Sequence, residues 1–217
     1  MKLGIVVGLK AEARIAAPLG LVEIGGGTSA GAEEAVMRLL HQGVEALLSF
    51  GFAGGLSPVL RPGHLLVPDT VVVDGVPLQT DAALASRFSQ RRGVLLGAQM
   101  VIGTVAARRA AHAATGAAAV DLESGAVAAG AYVARLPFAV VRAICDPWNR
   151  ELPQVVATAL DGCGNIAGGR IARGLARHPG EVVSLIRLAR DAARARRTLR
   201  TVVARVMRGQ AARGNGA

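Results

Sequence analysis

The chain has 217 residues, of which 52% are hydrophobic, and its formal net charge is +10. This length suits one domain with a substantial core, and this composition excludes an intrinsically disordered chain. The first residues lack the apolar segment and cleavage site of a secretory signal, and no apolar stretch of about 18 residues follows, so we expect a soluble cytoplasmic protein.

Short runs rich in Val, Ile and Leu alternate along the chain with alanine-rich segments at helical spacing. The predicted strands are LGIVVG (3–8), VEALLSFG (44–51), HLLVPDTVVV (64–73), VLLGAQMVIG (94–103) and FAVVRAICD (138–146). The predicted helices span residues 29–42, 80–90, 104–115 and 124–135. Strands that are apolar throughout, with helices between them, predict an α/β fold whose mainly parallel sheet is covered on both faces.

The positive charge is concentrated at the C-terminal end. Residues 1–169 carry thirteen Lys or Arg against thirteen Asp or Glu, whereas residues 170–217 carry twelve Arg against two acids. Pro179 and Gly180 predict a bend at the start of this basic region. We therefore predict a catalytic domain over residues 1–177 and an Arg-rich C-terminal helix and tail over residues 178–217.

On a helical wheel the basic region is imperfectly amphipathic, because Arg196 and Arg200 interrupt its apolar side. That apolar side comprises Val182, Leu185, Ile186, Ala189 and Val203. The opposite side comprises Arg187, Arg190, Arg194, Arg197, Arg205 and Arg208. Three interpretations stay open: a helix packed on the domain, a helix on an anionic membrane surface, and a nucleic-acid binder. The last ranks lowest, because the region has no aromatic residue for base stacking.

Two glycine-rich segments are candidate ligand-binding turns. GGGTSAG (25–31) lacks the Lys-Ser/Thr ending of a P-loop and the spacing of a dinucleotide fingerprint, so it indicates only a strand-to-helix turn. GFAGGL (51–56) ends a predicted strand, where ligands bind in open α/β sheets. Cys145 and Cys163 offer no disulfide framework, and the four histidines show no ligand spacing, so we expect no metal and no cofactor.

Four motifs occur in one order along the chain: MKLGIVVGLKAEA at the start, GFAGGLSPVLRPGHLLVPD from residue 51, AVDLES from residue 119 and VVRAICD from residue 140. Together they resemble the nucleoside phosphorylase superfamily, particularly its adenosine nucleosidase-like branch, over residues 1–177. The resemblance implies a phosphorylase/hydrolase-like three-layer fold with a mixed, mainly parallel central sheet, to which the C-terminal basic helix is added. It also implies a homo-oligomer.

Within that superfamily the hydrophobic, Arg-rich chain looks most like the hopanoid-associated phosphorylases. The implied activity is cleavage of the N-glycosidic bond of an adenosine derivative with release of adenine. The implied substrate is adenosylhopane, a lipid-linked nucleoside. A membrane-bound substrate of this kind suits an enzyme held on the inner face of the membrane by its basic helix. Two alternatives are a methylthioadenosine/adenosylhomocysteine nucleosidase and a catalytically dead relative that binds lipid or a partner.

The resemblance assigns roles to two carboxylates. Glu123 matches the family's ligand of the ribose hydroxyls, since a carboxylate can accept two hydrogen bonds from a vicinal diol. Asp146 matches the acid that faces the purine and assists departure of the base, as general acid catalysis requires. Leu122 and Gly8 are further substrate-binding residues. From the residues alone, Glu123 could instead be a charge at a helix N-terminus, and Asp146, before Pro147, a turn or capping residue.

The identity of the acceptor stays open in the sequence. Glu12 matches the family's acid that activates water, and Arg142 matches an arginine that orients water or clasps phosphate. Phe52 occupies a substrate-binding position where these enzymes generally carry serine. Arg14 and the amides near Gly8 are alternative phosphate ligands. We lean to phosphorolysis on the resemblance alone, with phosphate as a co-substrate.

Overall fold

The structure is a computed structural model that describes residues 1–153, 169, 173, 175, 177 and 179–214. The strands are β1 (Leu3–Val7), β2 (Leu21–Ile24), β3 (Ala46–Gly55), β4 (Leu65–Leu66), β5 (Thr70–Val73), β6 (Val76–Gln79), β7 (Val94–Gly97), β8 (Ala119–Asp121) and β9 (Phe138–Asp146). The α-helices are α1 (Lys10–Ala16), α2 (Ser29–His41), α3 (Ala82–Ser86), α4 (Val105–Thr115), α5 (Ser124–Ala134) and α6 (Val182–Gly214). Short 3₁₀ helices span Ala17–Leu19 and Pro179–Glu181.

The strands form one mixed, mostly parallel sheet in the order β2-β1-β3-β8-β7-β5-β6, and β9 pairs with β3 and β4. The pairs β1–β2, β1–β3, β3–β9, β5–β7 and β7–β8 are parallel, whereas β3–β8, β4–β9 and β5–β6 are antiparallel. Because β1, β3 and β9 run parallel, their carboxyl ends meet at one edge of the sheet.

Helices cover both faces of the sheet. Side chains of α1, α3 and α6 join one buried apolar cluster with β1, β3 and β9. Side chains of α2 and α5 join a second cluster on the other face. This confirms the predicted three-layer α/β fold with its mixed, mainly parallel sheet and its added C-terminal helix.

The strand predictions are confirmed most closely where the apolar run is longest, as in β9, whose bounds are those predicted. The predicted strand 64–73 is wrong as one element: β4 and β5 are separate, and Pro68, which has no N–H to donate, lies between them. The predicted strand 94–103 ends at Gly97, and the predicted helix 80–90 shortens to α3. Three short strands, β2, β6 and β8, were not predicted.

Helix α6 is part of the core and packs along β9. Its inward stripe buries Ala195, Leu199, Val202, Val203 and Val206, at the spacing of one helix face. Of the open interpretations of the basic region, the packed helix therefore describes this segment. The domain boundary at 177/178 stays a prediction, and α6 shares the core of the preceding residues.

The helical wheel placed three residues of α6 wrongly. Val182, Ile186 and Ala189 are exposed rather than packed, because the inward stripe passes through Leu185, Leu188 and Ala192 beside them. The predicted bend falls partly on His178, which lies outside the described residues; the 3₁₀ helix Pro179–Glu181 follows and leads into α6. Among the residues that the structure describes, no helix combines the length and the apolar composition needed to cross a bilayer.

Candidate active site

A cavity of about 670 Å³ lies at the carboxyl ends of β1, β3 and β9. This is the edge at which ligands bind in α/β sheets. Eight charged side chains line it: Lys10, Glu12, Arg14, Arg108, Asp121, Glu123, Asp146 and Arg196. The structure therefore brings together the three carboxylates that the sequence predicted as functional, although they lie far apart along the chain.

Glu12 projects from α1 and is fixed by backbone amides from two strand ends. Its Oε2 accepts hydrogen bonds from the N–H groups of Gly8, at 3.0 Å, and Leu9, at 2.8 Å. Its Oε1 accepts from the N–H of Phe52 at 2.8 Å. Burial raises the pKa of Glu12, while Arg142 and these three amides act in the opposite direction. The carboxyl group is thus held in one orientation and is a stronger base than an exposed glutamate.

Glu123 lies directly after β8 and reaches the loop that follows β1. A Cβ atom on Gly8 would lie 2.4 Å from Glu123 Oε1, so only glycine leaves room for this approach. Burial and the neighbouring charges of Asp121 and Glu12, acting against the opposing charge of Arg142, together raise the pKa of Glu123 to about 8. Glu123 does lie at the N-terminus of α5, as the alternative interpretation requires, but it is buried and its side chain makes no capping hydrogen bond there.

Arg142, in the middle of β9, is only 1% exposed and lies beneath the cavity rather than in its wall. It pairs with Asp121 and, through Nη2, with Glu123 Oε2 at 3.2 Å. It also donates to the Phe52 carbonyl oxygen at 3.2 Å and to the hydroxyls of Ser49 and Ser124. The sequence placed Arg142 against the nucleophile, whereas its N–H groups are directed to protein acceptors.

Asp121 completes this group and was not singled out in the sequence. Burial raises its pKa, whereas Arg142 and the Ser124 hydroxyl and amide act in the opposite direction. One guanidinium thus faces three buried carboxyl groups, those of Glu12, Asp121 and Glu123. Because one positive charge cannot neutralise three negative ones at low dielectric, the cluster retains protons at higher pH than isolated carboxylates do.

Asp146 stands at the last position of β9, where the strand is irregular. The β3–β9 register shifts between Ala53 and Gly54, so that Gly54 pairs with Asp146 and Cys145 is an extra residue. Such a bulge redirects the side chains beside it. Asp146 Oδ1 accepts from Cys145 Sγ at 3.2 Å, and burial raises the pKa of that thiol well above its usual value.

Arg108 is the partner of Asp146 that sequence reasoning missed. It lies on α4, is 2% exposed, and its Nη2 contacts Asp146 Oδ2 in an ion pair. Helical periodicity could have revealed it, since Arg108 shares the less exposed face of α4 with Val105, Ala111 and His112. The neighbouring Arg109 is exposed, and its Cζ lies 5.1 Å from the centroid of the Trp148 ring.

The remaining predicted binding residues also lie at the cavity. Gly8, Leu122 and Phe52 line it, and the Phe52 backbone contacts both Glu12 and Arg142. Arg14 lines it from α1, is exposed, and has no hydrogen-bond or ion-pair partner among the described residues.

A match to a known family covers three quarters of the chain. The family model described as the phosphorylase superfamily matches residues 12–173. The chain belongs to the phosphorylase superfamily. Among curated protein sequences, no match to this chain is found.

Solved structures with the same fold include other members with low sequence identity. A Streptococcus pneumoniae MTA/SAH nucleosidase in complex with 8-aminoadenine is 18% identical, with a TM-score of 0.64 over 81% of this chain and 99% of that chain. The futalosine hydrolase of Helicobacter pylori is 16% identical, with a TM-score of 0.67 over 94% of this chain and 97% of that chain. A Helicobacter pylori MTA/SAH nucleosidase with butyl-thio-DADMe-Immucillin-A is 16% identical, with a TM-score of 0.65 over 94% and 97% of the two chains.

In this superfamily member part of the cavity wall is apolar. It is built by the segment after β7 and by the first turns of α6, with the residues Met100, Val101, Ile102, Leu185, Leu188 and Ala189. The sequence predicted no role for the segment after β7, because it was read as strand. The cavity therefore has one charged wall and one apolar wall.

Proposed function

We propose that this chain cleaves the N-glycosidic bond of an adenosine derivative and releases adenine. The observation that carries the proposal is the convergence of Glu12, Glu123 and Asp146 in one cavity of a phosphorylase-superfamily fold. Solvated or capping carboxylates would have no reason to meet in one buried cavity.

Glu123 binds the ribose in this proposal. Its Oε2 is anchored by Arg142, while its Oε1 approaches Gly8 in the cavity wall. Carboxyl oxygens accept hydrogen bonds from the two vicinal hydroxyls of the sugar, and these bonds strengthen as positive charge develops on the ring. Leu122 lines the cavity beside it.

Glu12 serves as the general base. Its burial raises its pKa, and a raised pKa makes its carboxylate a better proton acceptor near neutral pH. The bond between the sugar C1′ and the base N9 breaks, and its electron pair leaves with the base. A water oxygen bonds to C1′, and the proton of that water passes to Glu12. Asp146 faces the departing base.

We propose water rather than phosphate as the acceptor. The amides of Gly8 and Leu9 already donate to Glu12, and the Arg142 guanidinium is directed to protein acceptors. A phosphate here would meet three carboxyl groups, which repel an anion. Arg14 alone among the predicted phosphate ligands is unengaged in the described part of the chain. For these reasons we propose hydrolysis, although the resemblance of the motifs favoured phosphorolysis.

We further propose that the 5′ substituent of the substrate is apolar and large, as in adenosylhopane. The support is the apolar wall formed by residues 100–102 and the first turns of α6. Burial of hydrocarbon against such a wall contributes roughly 25 cal/mol per Å². The alternative substrate, with a small apolar group, is methylthioadenosine, and the MTA/SAH nucleosidases of the same fold favour it.

Contact with a membrane surface is the last part of the proposal. Met100 and Val101 of the apolar wall are exposed. Val183 and Ile186 on the first turns of α6 are also exposed, and Arg187 follows them in the sequence. Apolar and cationic side chains together bind anionic bilayers. Deleting α6 is no test, because α6 belongs to the core. The matched variants are Val183→Asp with Ile186→Asp, and Val133→Asp on α5 as the control.

Co-sedimentation with anionic vesicles measures this contact. The double variant should lose vesicle binding and the control should keep it, whereas equal sedimentation of all three proteins would contradict membrane docking. The predicted oligomer and the predicted cellular location stay predictions.

The activity itself is tested by adenine release from a panel of adenosine derivatives, with and without inorganic phosphate. Hydrolysis gives free ribose at a rate independent of phosphate. Ribose 1-phosphate as the product would contradict water as the acceptor. Absence of adenine release from every derivative would favour the alternative of a catalytically dead binding protein.

A further inference from the structure

Arg108 is held in the cavity wall by three acceptors, which come from two parts of the chain. Its Nε donates to the Ile102 carbonyl oxygen at 3.0 Å, and its Nη1 donates to the Pro147 carbonyl oxygen at 2.7 Å. Its Nη2 donates to Asp146 Oδ2. These contacts use three of the five N–H groups of a guanidinium, so two remain for a ligand.

The same contacts restrict what Asp146 can do. Its Oδ2 is engaged by Arg108, and its Oδ1 has only the weak thiol donor of Cys145. Adenine offers two groups side by side, N7 and the 6-amino group, and the resemblance places the single carboxyl group of Asp146 against this edge of the base. With Oδ2 already occupied, the second contact requires another residue, and Arg108 is the charged neighbour that lines the same cavity.

We infer that Arg108 donates a hydrogen bond to N7 of the purine while Asp146 Oδ1 accepts one from the 6-amino group. This inference rests on the proposed function and names the base-recognising pair of that site. Adenine presents an acceptor, N7, next to a donor, the 6-amino group. The Arg108–Asp146 pair presents a donor next to an acceptor, which is the complementary pattern.

The pair also assists the departure of the base. When the C1′–N9 bond breaks, its electron pair is delocalised over the purine and its charge is shared with N7. A guanidinium at N7 stabilises that charge without giving up a proton, since arginine stays protonated in proteins. The purine then takes a proton from solvent, and Glu12 returns to solvent the proton that it received from the attacking water, so no net proton is consumed.

Binding of free bases separates the two contacts. Adenine and 7-deazaadenine share the 6-amino group and differ at N7, whereas adenine and hypoxanthine share N7 and differ at position 6. A hydrogen bond to a charged group changes binding by about 10- to 100-fold. In calorimetric titrations the wild-type protein should therefore bind adenine about 10- to 100-fold more tightly than 7-deazaadenine.

Three variants test which residue provides each contact. Arg108→Lys, which retains the charge beside Asp146, and the doubly neutral Arg108→Met with Asp146→Asn should both lose most of the preference for N7. Asp146→Asn alone should keep that preference and lose the preference for adenine over hypoxanthine. Thermal melts show that each variant is folded, and the Lys variant remains informative if the neutral pair does not fold.

The outcomes distinguish this inference from the proposed function. An N7 preference that is unchanged in the folded Arg108 variants overturns the inference, as does wild-type protein that binds adenine and 7-deazaadenine equally. Wild-type protein that binds none of the three bases overturns the proposed function, and the inference with it.

Discussion

The two buried arginines of the site have opposite charge balances. Arg142 faces the carboxyl groups of Glu12, Asp121 and Glu123, whereas Arg108 pairs with Asp146 alone. The first group is short of positive charge and retains protons, as the raised pKa values of its acids indicate. The second group is balanced. In the proposed mechanism this difference separates the end of the cavity that binds the sugar and water, where protons move, from the end that recognises the base.

Replacing Glu12, the proposed general base, should have the largest effect on the rate of adenine release. Glu12→Gln keeps the shape of the side chain and removes the proton acceptor, so kcat should fall by about 10²- to 10⁴-fold. Single-turnover assays of adenine release measure it, with the exposed Glu33→Gln on α2 as the matched control. Nearly wild-type turnover by Glu12→Gln would assign proton transfer to another group.

The two arginines should differ in their effect on stability. Arg142→Met leaves several buried carboxyl groups without a cation, and breaking a buried pair costs about 3–5 kcal/mol. Arg108→Met leaves only Asp146 unpaired, so it should cost less. Urea denaturation of both variants gives the comparison. Equal losses would show that the number of facing carboxylates does not set the effect.

Two substitutions in helix α6, one buried and one exposed, should also differ in their effect on the free energy of unfolding. Leu199 is fully buried against the sheet, and Leu199→Ala should cost about 2–5 kcal/mol. Arg197, two positions away, is exposed, and Arg197→Ala should change stability by about 0.5 kcal/mol or less. Thermal melts separate the two. A harmless Leu199→Ala would mean that α6 is a detachable appendage.

The smallest expected effect, counted per pH unit, is a pH dependence of stability. The pKa of Glu123 is raised from 4.5 to about 8 on folding, so the folded state binds more protons than the unfolded state between these values. Stability that is fully present below about pH 4.5 is therefore lost as pH rises toward 8, by at most about 1.4 kcal/mol per pH unit for one proton. Glu123→Gln should flatten this slope, measured by denaturation across the range. A slope that is the same in the variant would assign it elsewhere.

The sequence predicted those parts of the fold and site that local pattern determines. Strand β9 is apolar apart from Arg142 and Asp146, so its bounds were predicted, and Glu12, Glu123 and Asp146 were singled out because they lie within motifs. Arg108 was missed because its partner lies 38 residues away and the two meet only through tertiary packing. Arg142 was identified, but its direction was not, since burial beneath the cavity depends on the hydroxyls and acids of other strands.

Helix α6 shows the same limit on a larger scale. Its inward stripe is continuous, but its first turns face the cavity and its later turns face the core. A helical wheel identifies the apolar face of a helix, but it does not identify which part of the protein packs against each turn of that face. Val182, Ile186 and Ala189 were therefore assigned to the packed side although all three are exposed.

The most direct test of the account is product analysis with a purified adenosine derivative that carries an apolar 5′ group. Adenine and the free sugar should form at a rate that does not change when phosphate is added, and Glu12→Gln should abolish most of that rate. A phosphate-dependent rate with ribose 1-phosphate as the product would contradict the proposal that the carboxyl cluster around Arg142 activates water. No adenine from the wild-type protein would contradict the proposed activity itself.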